Sequence, residues 1–232
     1  MAQAGMHALV GAMSRKATPK QEWLMLGIIL GSLFPDLDNF AVAIATVAKW
    51  DTHGLHRTFT HSLFAILTAL AVFMIIALVN HQKRWRSFGI GFGIGIGLHI
   101  VLDLLIWFNG VELLWPFGGW VNWWENVNPP TWFTKLLDPA EFFFFALFFV
   151  WLAKRAQAHK TNSDFIGSLR YWIIAMLVML VVFTPLTYIM NQGFQTIFGV
   201  FYLVSLTAAF VITIRMRKTI EAFNQTPASL SS

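Results

Sequence analysis

Apolar runs alternate with short charged clusters along the whole chain. Measured against the roughly 20 apolar residues that a membrane helix needs, four runs qualify as spans, at about 62–79, 87–108, 171–190 and 196–214. Two more are too short to cross a core about 30 Å thick alone: 23–34, about twelve residues, and 139–153, about fifteen. At 1.5 Å per residue the first reaches about 18 Å, so it is expected to stop within the membrane or to lean on its neighbours. Segments 5–13 and 40–48 read as additional short helices. No internal repeat or linker divides the chain, which reads as one integral membrane domain over 1–232. The expected fold class is all-α, a polytopic helical bundle with about four full spans plus short or half-spanning helices.

Where the basic residues fall sets an expected orientation. Lys83, Arg84 and Arg86 lie between the first two long runs; Lys154, Arg155, Lys160 and Arg170 precede the third; Arg215, Arg217 and Lys218 follow the fourth. These clusters, with Arg15, Lys16 and Lys20, are expected on the cytoplasmic side. The stretch 109–138 carries Lys135 against Glu112, Glu125 and Asp138, and with the turn around Asn191 it is expected to face outward. A removable signal peptide fits poorly, because Asp36 and Asp38 stand where small cleavage-site residues belong.

Composition agrees with a bilayer environment. The 232 residues are 57% hydrophobic and 12% charged, about half the charge of a soluble domain, with a mean hydropathy of +0.63. The net charge of +5 sits in clusters flanking the spans, so no nucleic-acid partner is expected; the lipid bilayer is. Without cysteine, disulfides and thiolate metal sites are excluded.

Against this apolar background the ionisable residues stand out. The motif H-R-T-F-T-H-S at 56–62 holds His56, Arg57 and His61 at the outer end of the first long run, level with Asp36 and Asp38. In the second long run Gly91, Gly95, His99 and Asp103 recur every four residues and share one helix face. The glycines admit a neighbouring backbone, and His99 and Asp103 point into the same crevice. Ionisable groups within a span are costly unless paired or metal-bound, so their convergence favours a site. Imidazole with carboxylate suits zinc, manganese or iron(II) better than calcium or magnesium. His7, Asp36, Asp38, His56, His61, His99 and Asp103 exceed what one tetrahedral ion needs, so one or two divalent transition-metal ions are expected, zinc first. Asp36 and Asp38, one residue apart, could bridge two of them.

Other roles compete at each position. Asp36 and Asp38 could cap a short helix; His99 and Asp103 could be a pair that only locks two helices; Thr60 or Ser62 reads as the cap of the run that follows. His53, His81 and His159 read as solvated. Arg57 could meet lipid headgroups or clamp an anion. Five tryptophans within 115–133 suit an interfacial belt, or a lip over the crevice that guides an amphiphilic substrate. Glu112, Glu125, Asp138 and Glu141 are candidate general bases. The run 142–145 reads as lipid-facing or core phenylalanine.

His7, G-S-L-F-P-D-L-D at 31–38, H-R-T-F-T-H-S at 56–62, L-H-I-V-L-D at 98–103, W-P-F at 115–117 and L-D-P at 137–139 together resemble the ordered motifs of the YdjM-like family of LexA-regulated inner-membrane metal-dependent hydrolases. The resemblance covers roughly 1–140 as the metal-site region and leaves 141–232 as additional membrane helices. One departure is Asn39, where many relatives carry His. The resemblance implies a bound metal, hydrolysis and a bacterial inner-membrane location; the chain is expected to be multi-pass, and the basic clusters put the site toward the periplasmic side. The expected chemistry is cleavage of a phosphoester or ester of a lipid-like substrate by metal-activated water, with Arg57 and Asp38 as catalytic residues. The competing readings are an ion or metal transporter, which also uses intramembrane His and Asp, and a non-catalytic membrane protein with a structural metal.

Overall fold

A computed structural model describes residues 3–190 and 193–222; the turn expected around Asn191 lies outside them. Nine helices follow in chain order among the described residues: α1 (Ala4–Met13), α2 (Leu24–Leu33), α3 (Asp38–Ala48), α4 (Leu63–Val79), α5 (Lys83–Ile106), α6 (Thr131–His159), α7 (Ile166–Ile189), α8 (Phe194–Arg215) and α9 (Arg217–Glu221). The described residues hold no strand, only an isolated bridge between Val111 and Val121. The all-α membrane bundle is as expected.

Four helices, α5 to α8, are long and apolar enough to cross a bilayer. They are not quite the four the apolar runs suggest. The segment expected as a short piece at 139–153 is the middle of the 29-residue α6. In the sequence Pro139 and the charges around it look like a break. In the fold, Pro139 sits inside the helix, and the Lys135 carbonyl it cannot serve accepts from Thr187 Oγ1 at 3.3 Å. Asp138 also finds a partner within the bundle in Gln195 Nε2, and one oxygen of Glu141 accepts from the Gly5 amide. Conversely α4 has 17 residues, about 26 Å of helix, and is the shortest of the long apolar runs. The half-length α2 is found as expected: it stops before Pro35, and the chain bends by 41° into α3.

Glycines bring α2 and α5 together. A Cβ at Gly91 or Gly95 would run into the α2 carbonyls of Leu24 or Ile28, and one at Gly27 or Gly31 into the α5 carbonyls of Phe88 or Phe92. The two backbones therefore lie in contact, with no side chain between them, and this is the small-residue packing that membrane helices use. On the other side of α2, α1 packs against α6, where Gly5 leaves room for the Phe144–Phe145 backbone.

At the end of α2 away from Asp36, the last helix closes the bundle. The Glu221 carboxylate accepts from the Trp23 and Leu26 amides at 3.1 and 2.9 Å, capping α2 from about 195 residues away. Arg15 and Arg155 donate to carbonyls of the 219–222 segment. Arg84 and Arg217 both lie over the Trp23 ring, at 4.6 and 5.3 Å from its centroid. Basic residues from distant parts of the chain thus meet at one end, and the ionisable cluster lies at the other.

Candidate metal centre

Three helices and two connecting segments deliver the cluster. α1 supplies His7; the short turn after α2 supplies Asp36 and the start of α3 supplies Asp38; the loop and short turn before α4 supply His56, Arg57 and His61; α5 supplies His99 and Asp103. His7, Asp36, His61, His99 and Asp103 are all 0 or 1% exposed, in a setting where that burial demands an explanation.

The hydrogen bonds fix which ring nitrogens are free. His99 Nδ1 lies 2.7 Å from the Ser32 carbonyl, which can only accept, so Nδ1 carries the proton and Nε2 a lone pair. His61 Nδ1 faces Thr60 Oγ1 at 3.0 Å and Asp38 Oδ2 at 3.3 Å, while the Thr60 hydroxyl itself donates to Asp38 at 2.8 Å. This arrangement makes His61 Nδ1 the donor and leaves its Nε2 as a second lone pair. The two Nε2 atoms nevertheless stand 3.1 Å apart. Two lone pairs at that distance repel unless a cation holds them.

The surrounding carboxylates sharpen the point. Asp103 Oδ2 lies 3.5 Å from His61 Nε2 and 3.7 Å from His99 Nε2; Asp36 Oδ1 lies 3.9 Å from His99 Nε2. Asp103 Oδ1 is 3.1 Å from His7 Nε2, and the His7 ring stacks on His99 with centroids 3.6 Å apart. Neither oxygen of Asp36 has a hydrogen-bond donor, and Asp103 meets only the His7, His61 and His99 rings. Atoms about 2.1 Å from one tetrahedral ion lie about 3.4 Å from each other, close to these separations. Formal charge agrees: the carboxylates of Asp36, Asp38 and Asp103 face the one guanidinium of Arg57, with neutral imidazoles, which leaves a deficit that a divalent ion would cancel. The residues fit a transition metal. They group as His7, His99 and Asp103; Asp36, His61 and His99; and Asp38, His56 and His61.

Asp36 and Asp38, one residue apart, differ sharply. Neither caps a helix. Asp36 is bare, whereas Asp38 is engaged at both oxygens: Oδ1 by His56 Nδ1 at 2.6 Å, Oδ2 by the Arg57 amide at 3.1 Å and by Thr60. His56 sits at the rim, its side chain 24% exposed, and burial holds its imidazole below the usual range.

Arg57 lies beneath the loop that follows α5. Its backbone adopts φ of 63°, a left-handed conformation unusual for a side chain of this size. Nη1 donates to the Asn109 carbonyl at 2.6 Å, the guanidinium lies 5.9 Å from the Trp107 ring centroid, and the buried Nη2 has no partner. The Glu112 amide donates back to the Arg57 carbonyl, and Trp115 packs edge-on against Phe59. The aromatic segment therefore rests partly on the loop that carries the site, while Phe117, Trp120 and Trp123 stay exposed.

Among the candidate bases, Glu125 is exposed, Glu112 is half-buried, Asp138 pairs with Gln195, and Glu141 is buried with Oε2 unpartnered. Ser62 does cap α4, accepting from the Ala65 amide at 3.2 Å, but Thr60 serves Asp38 instead. His53 and His81 are exposed. The Ser32 and Asn109 carbonyls have no signature in the amino-acid pattern, since any residue can supply a carbonyl.

No curated protein and no solved structure matches the chain. The family model described as YdjM inner membrane protein matches residues 2–213, well beyond the 1–140 region that carries the motifs. The protein is a multi-helix membrane protein with a buried His/Asp cluster, and it belongs to the YdjM inner membrane protein family.

Proposed function

We propose that the protein is a membrane-embedded, metal-dependent hydrolase that cleaves a phosphoester or ester of a lipid-like substrate. The observation that carries this reading is the pair of imidazole lone pairs 3.1 Å apart, ringed by bare carboxylates and closed to donors. His7, Asp36, His61, His99 and Asp103 would hold one or two ions, zinc being best suited to this donor set, with manganese and iron as alternatives. When bound, the metal supplies Lewis acidity and an acidified water.

The protein's own residues do the rest. Asp38 anchors His61 by its Nδ1 face and His56 by its own, so both imidazoles keep the tautomer that presents Nε2 inward. Carboxylate behind histidine behind metal is a common way to fix a ring and raise its basicity. Arg57 holds its guanidinium with one arm on Asn109 and the other free, ready to donate to an oxygen that gains charge. The left-handed backbone at Arg57 gives Asp38 its amide proton, so the strain serves the site. Burial excludes bulk water from the reacting groups. We take the site to face the periplasmic side, a reading supported by the basic residues gathered at the opposite end of α2.

Elemental analysis of the purified protein, followed by a turnover screen of phospholipids and polyprenyl phosphates, tests the reading. One or two transition-metal ions per chain and metal-dependent release of product are expected. Metal without turnover would leave a structural centre, and ion flux in liposomes would make the protein a transporter.

A further inference from the structure

The connection between α4 and α5 carries a chemistry that the metal centre does not use. Only Asn80, His81 and Gln82 separate the two helices, and His81 holds a left-handed φ of 52° in the reversal. Beside this turn lies a cleft of about 460 Å³. His81, Lys83 and Arg86 line it together with Met74, Ala77 and Leu78 of α4. It lies at the end of the bundle opposite the His/Asp cluster, because α5 starts at Lys83 and reaches Asp103 only near its last turn.

The cleft has cations and no counter-charge. Lys83 and Arg86 stand three residues apart and so share a face of α5. Arg84 is occupied elsewhere, its Nε donating to Gln82 Oε1 at 2.8 Å and its guanidinium lying over Trp23. Arg15 and Arg155 at this end donate to carbonyls, and Arg215 pairs with Asp164 at 3.5 Å. Among the described residues the exposed side chains of Lys83 and Arg86 have no such partner. No Asp or Glu occurs anywhere from 52 to 102. The amide end of α5 adds charge of the same sign.

Cations beside hydrocarbon match a molecule with an anionic head and an apolar tail. A zwitterionic head would bring an ammonium against Lys83 and Arg86 with no carboxylate to receive it, so charge complementarity selects a lipid of net negative charge. A free phosphate would satisfy the cations but leave Leu78, 73% exposed, and its neighbours uncovered. The volume falls within the roughly 300–1,000 Å³ of ligand pockets and suits a head with the first part of one chain. Trp85, stacked on Phe73 and edge-on to Trp23, supplies indoles at this level, as membrane proteins do at headgroup depth.

We propose that this cleft binds one net-anionic glycerophospholipid, with Lys83 and Arg86 on its phosphate and an acyl chain along Met74, Ala77 and Leu78. The site is separate from the metal centre and independent of the hydrolase reading.

The full-length protein, purified in a neutral detergent, is titrated with phosphatidylglycerol or phosphatidylcholine, and bound lipid is counted by native mass spectrometry. One phosphatidylglycerol per chain is expected to bind about tenfold to thirtyfold more tightly than phosphatidylcholine, as two surface cations allow. Glycerol 3-phosphate is expected not to displace it. A phosphatidylglycerol with a diazirine in its acyl chain should label the 74–86 segment. Lys83→Gln with Arg86→Gln should weaken binding by the same factor at unchanged helix content. Arg170→Gln with Lys218→Gln, which takes the same charge from exposed positions at the same end, should leave it intact. Should the first pair fail to fold, Leu78→Glu sets a carboxylate in the cleft while keeping both cations, and is expected to weaken binding equally. Equal retention of the two lipids would show ordinary lipid contact, displacement by glycerol 3-phosphate a free-phosphate site, and equal loss in the Arg170 and Lys218 pair a general charge effect. Each overturns the proposal, as does labelling confined to other segments or binding that Leu78→Glu leaves unchanged.

Discussion

Replacing Asp38 by Asn separates a residue that positions ligands from one that is a ligand. The amide has nearly the same size but turns one acceptor oxygen into a donor. Asp38 now accepts from His56 Nδ1, the Arg57 amide and Thr60, and faces His61 Nδ1. The least costly placement of the new NH2 is toward His56, which loses one contact rather than two. The Oδ2 side then keeps Thr60 and the Arg57 amide but loses the ionic contact with His61. Losses of an outer partner of this kind typically cost 10–100-fold in metal affinity, about 1.4–2.8 kcal/mol. His61→Ala instead deletes one of the two facing lone pairs and leaves the deficit of positive charge beside a cavity. The assay strips each protein with chelator and titrates metal back against a chromophoric competitor, with helix content by circular dichroism as the folding control. Expected are full stoichiometry with weakened affinity for Asp38→Asn, and lost stoichiometry for His61→Ala. If Asp38→Asn binds no metal at saturation, Asp38 is itself a ligand and the positioning argument is wrong; unchanged affinity would refute it from the other side.

Four further outcomes follow from the fold. Arg57→Lys keeps the charge but loses the two-armed geometry, so turnover of an identified substrate is expected to fall about tenfold to a thousandfold at wild-type metal content; an unchanged rate removes Arg57 from the chemistry. Gly95→Ala drives a methyl into the Ile28 carbonyl and the Ser32 amide, and is expected to destabilise by about 1–3 kcal/mol in thermal unfolding, whereas Gly167→Ala, with open space around it, serves as the neutral control. Thr187→Val strips the Lys135 carbonyl of its donor at the Pro139 break, with an expected cost of about 0.5–1.5 kcal/mol; no change in melting would mean the carbonyl is served otherwise. Single cysteines at the exposed positions Ser163 and Asn126 are expected to label from opposite sides of the membrane, Ser163 from the cytoplasm, and same-side labelling would invert the placement of the site.

Most of the site was legible because polar residues are rare in this chain. His99 and Asp103 stand four apart below Gly91 and Gly95, and the structure puts that row against α2 as the spacing requires. His7 was the weakest candidate by position, near the start of the chain, yet it is buried and stacked on His99. What stayed hidden depends on partners that leave no mark in sequence. The 29-residue α6 was obscured because the donor that repairs its proline lies on α7, about fifty residues later. The unequal roles of Asp36 and Asp38 turn on a 3-10 bend at Pro35–Leu37, which aims one carboxylate inward and the other at the loop.

The Glu221 cap on α2 has a consequence for biogenesis. Synthesis at about 5–20 residues per second separates the first turn of α2 from its acceptor by roughly 10–40 seconds, since the capped amides lie 198 and 195 positions before Glu221. For most of that interval the leading amides of α2 lack the acceptor that caps them in the finished fold. The carbonyl of Ser32 sits at the other end of the same short helix and the carboxylate of Asp36 on the turn just beyond it, so the helix that carries them receives its cap last. Closure of the end of α2 opposite the cluster thereby waits on completion of the ninth helix, and a nascent chain arrested before Glu221 is expected to reach the membrane with α2 uncapped.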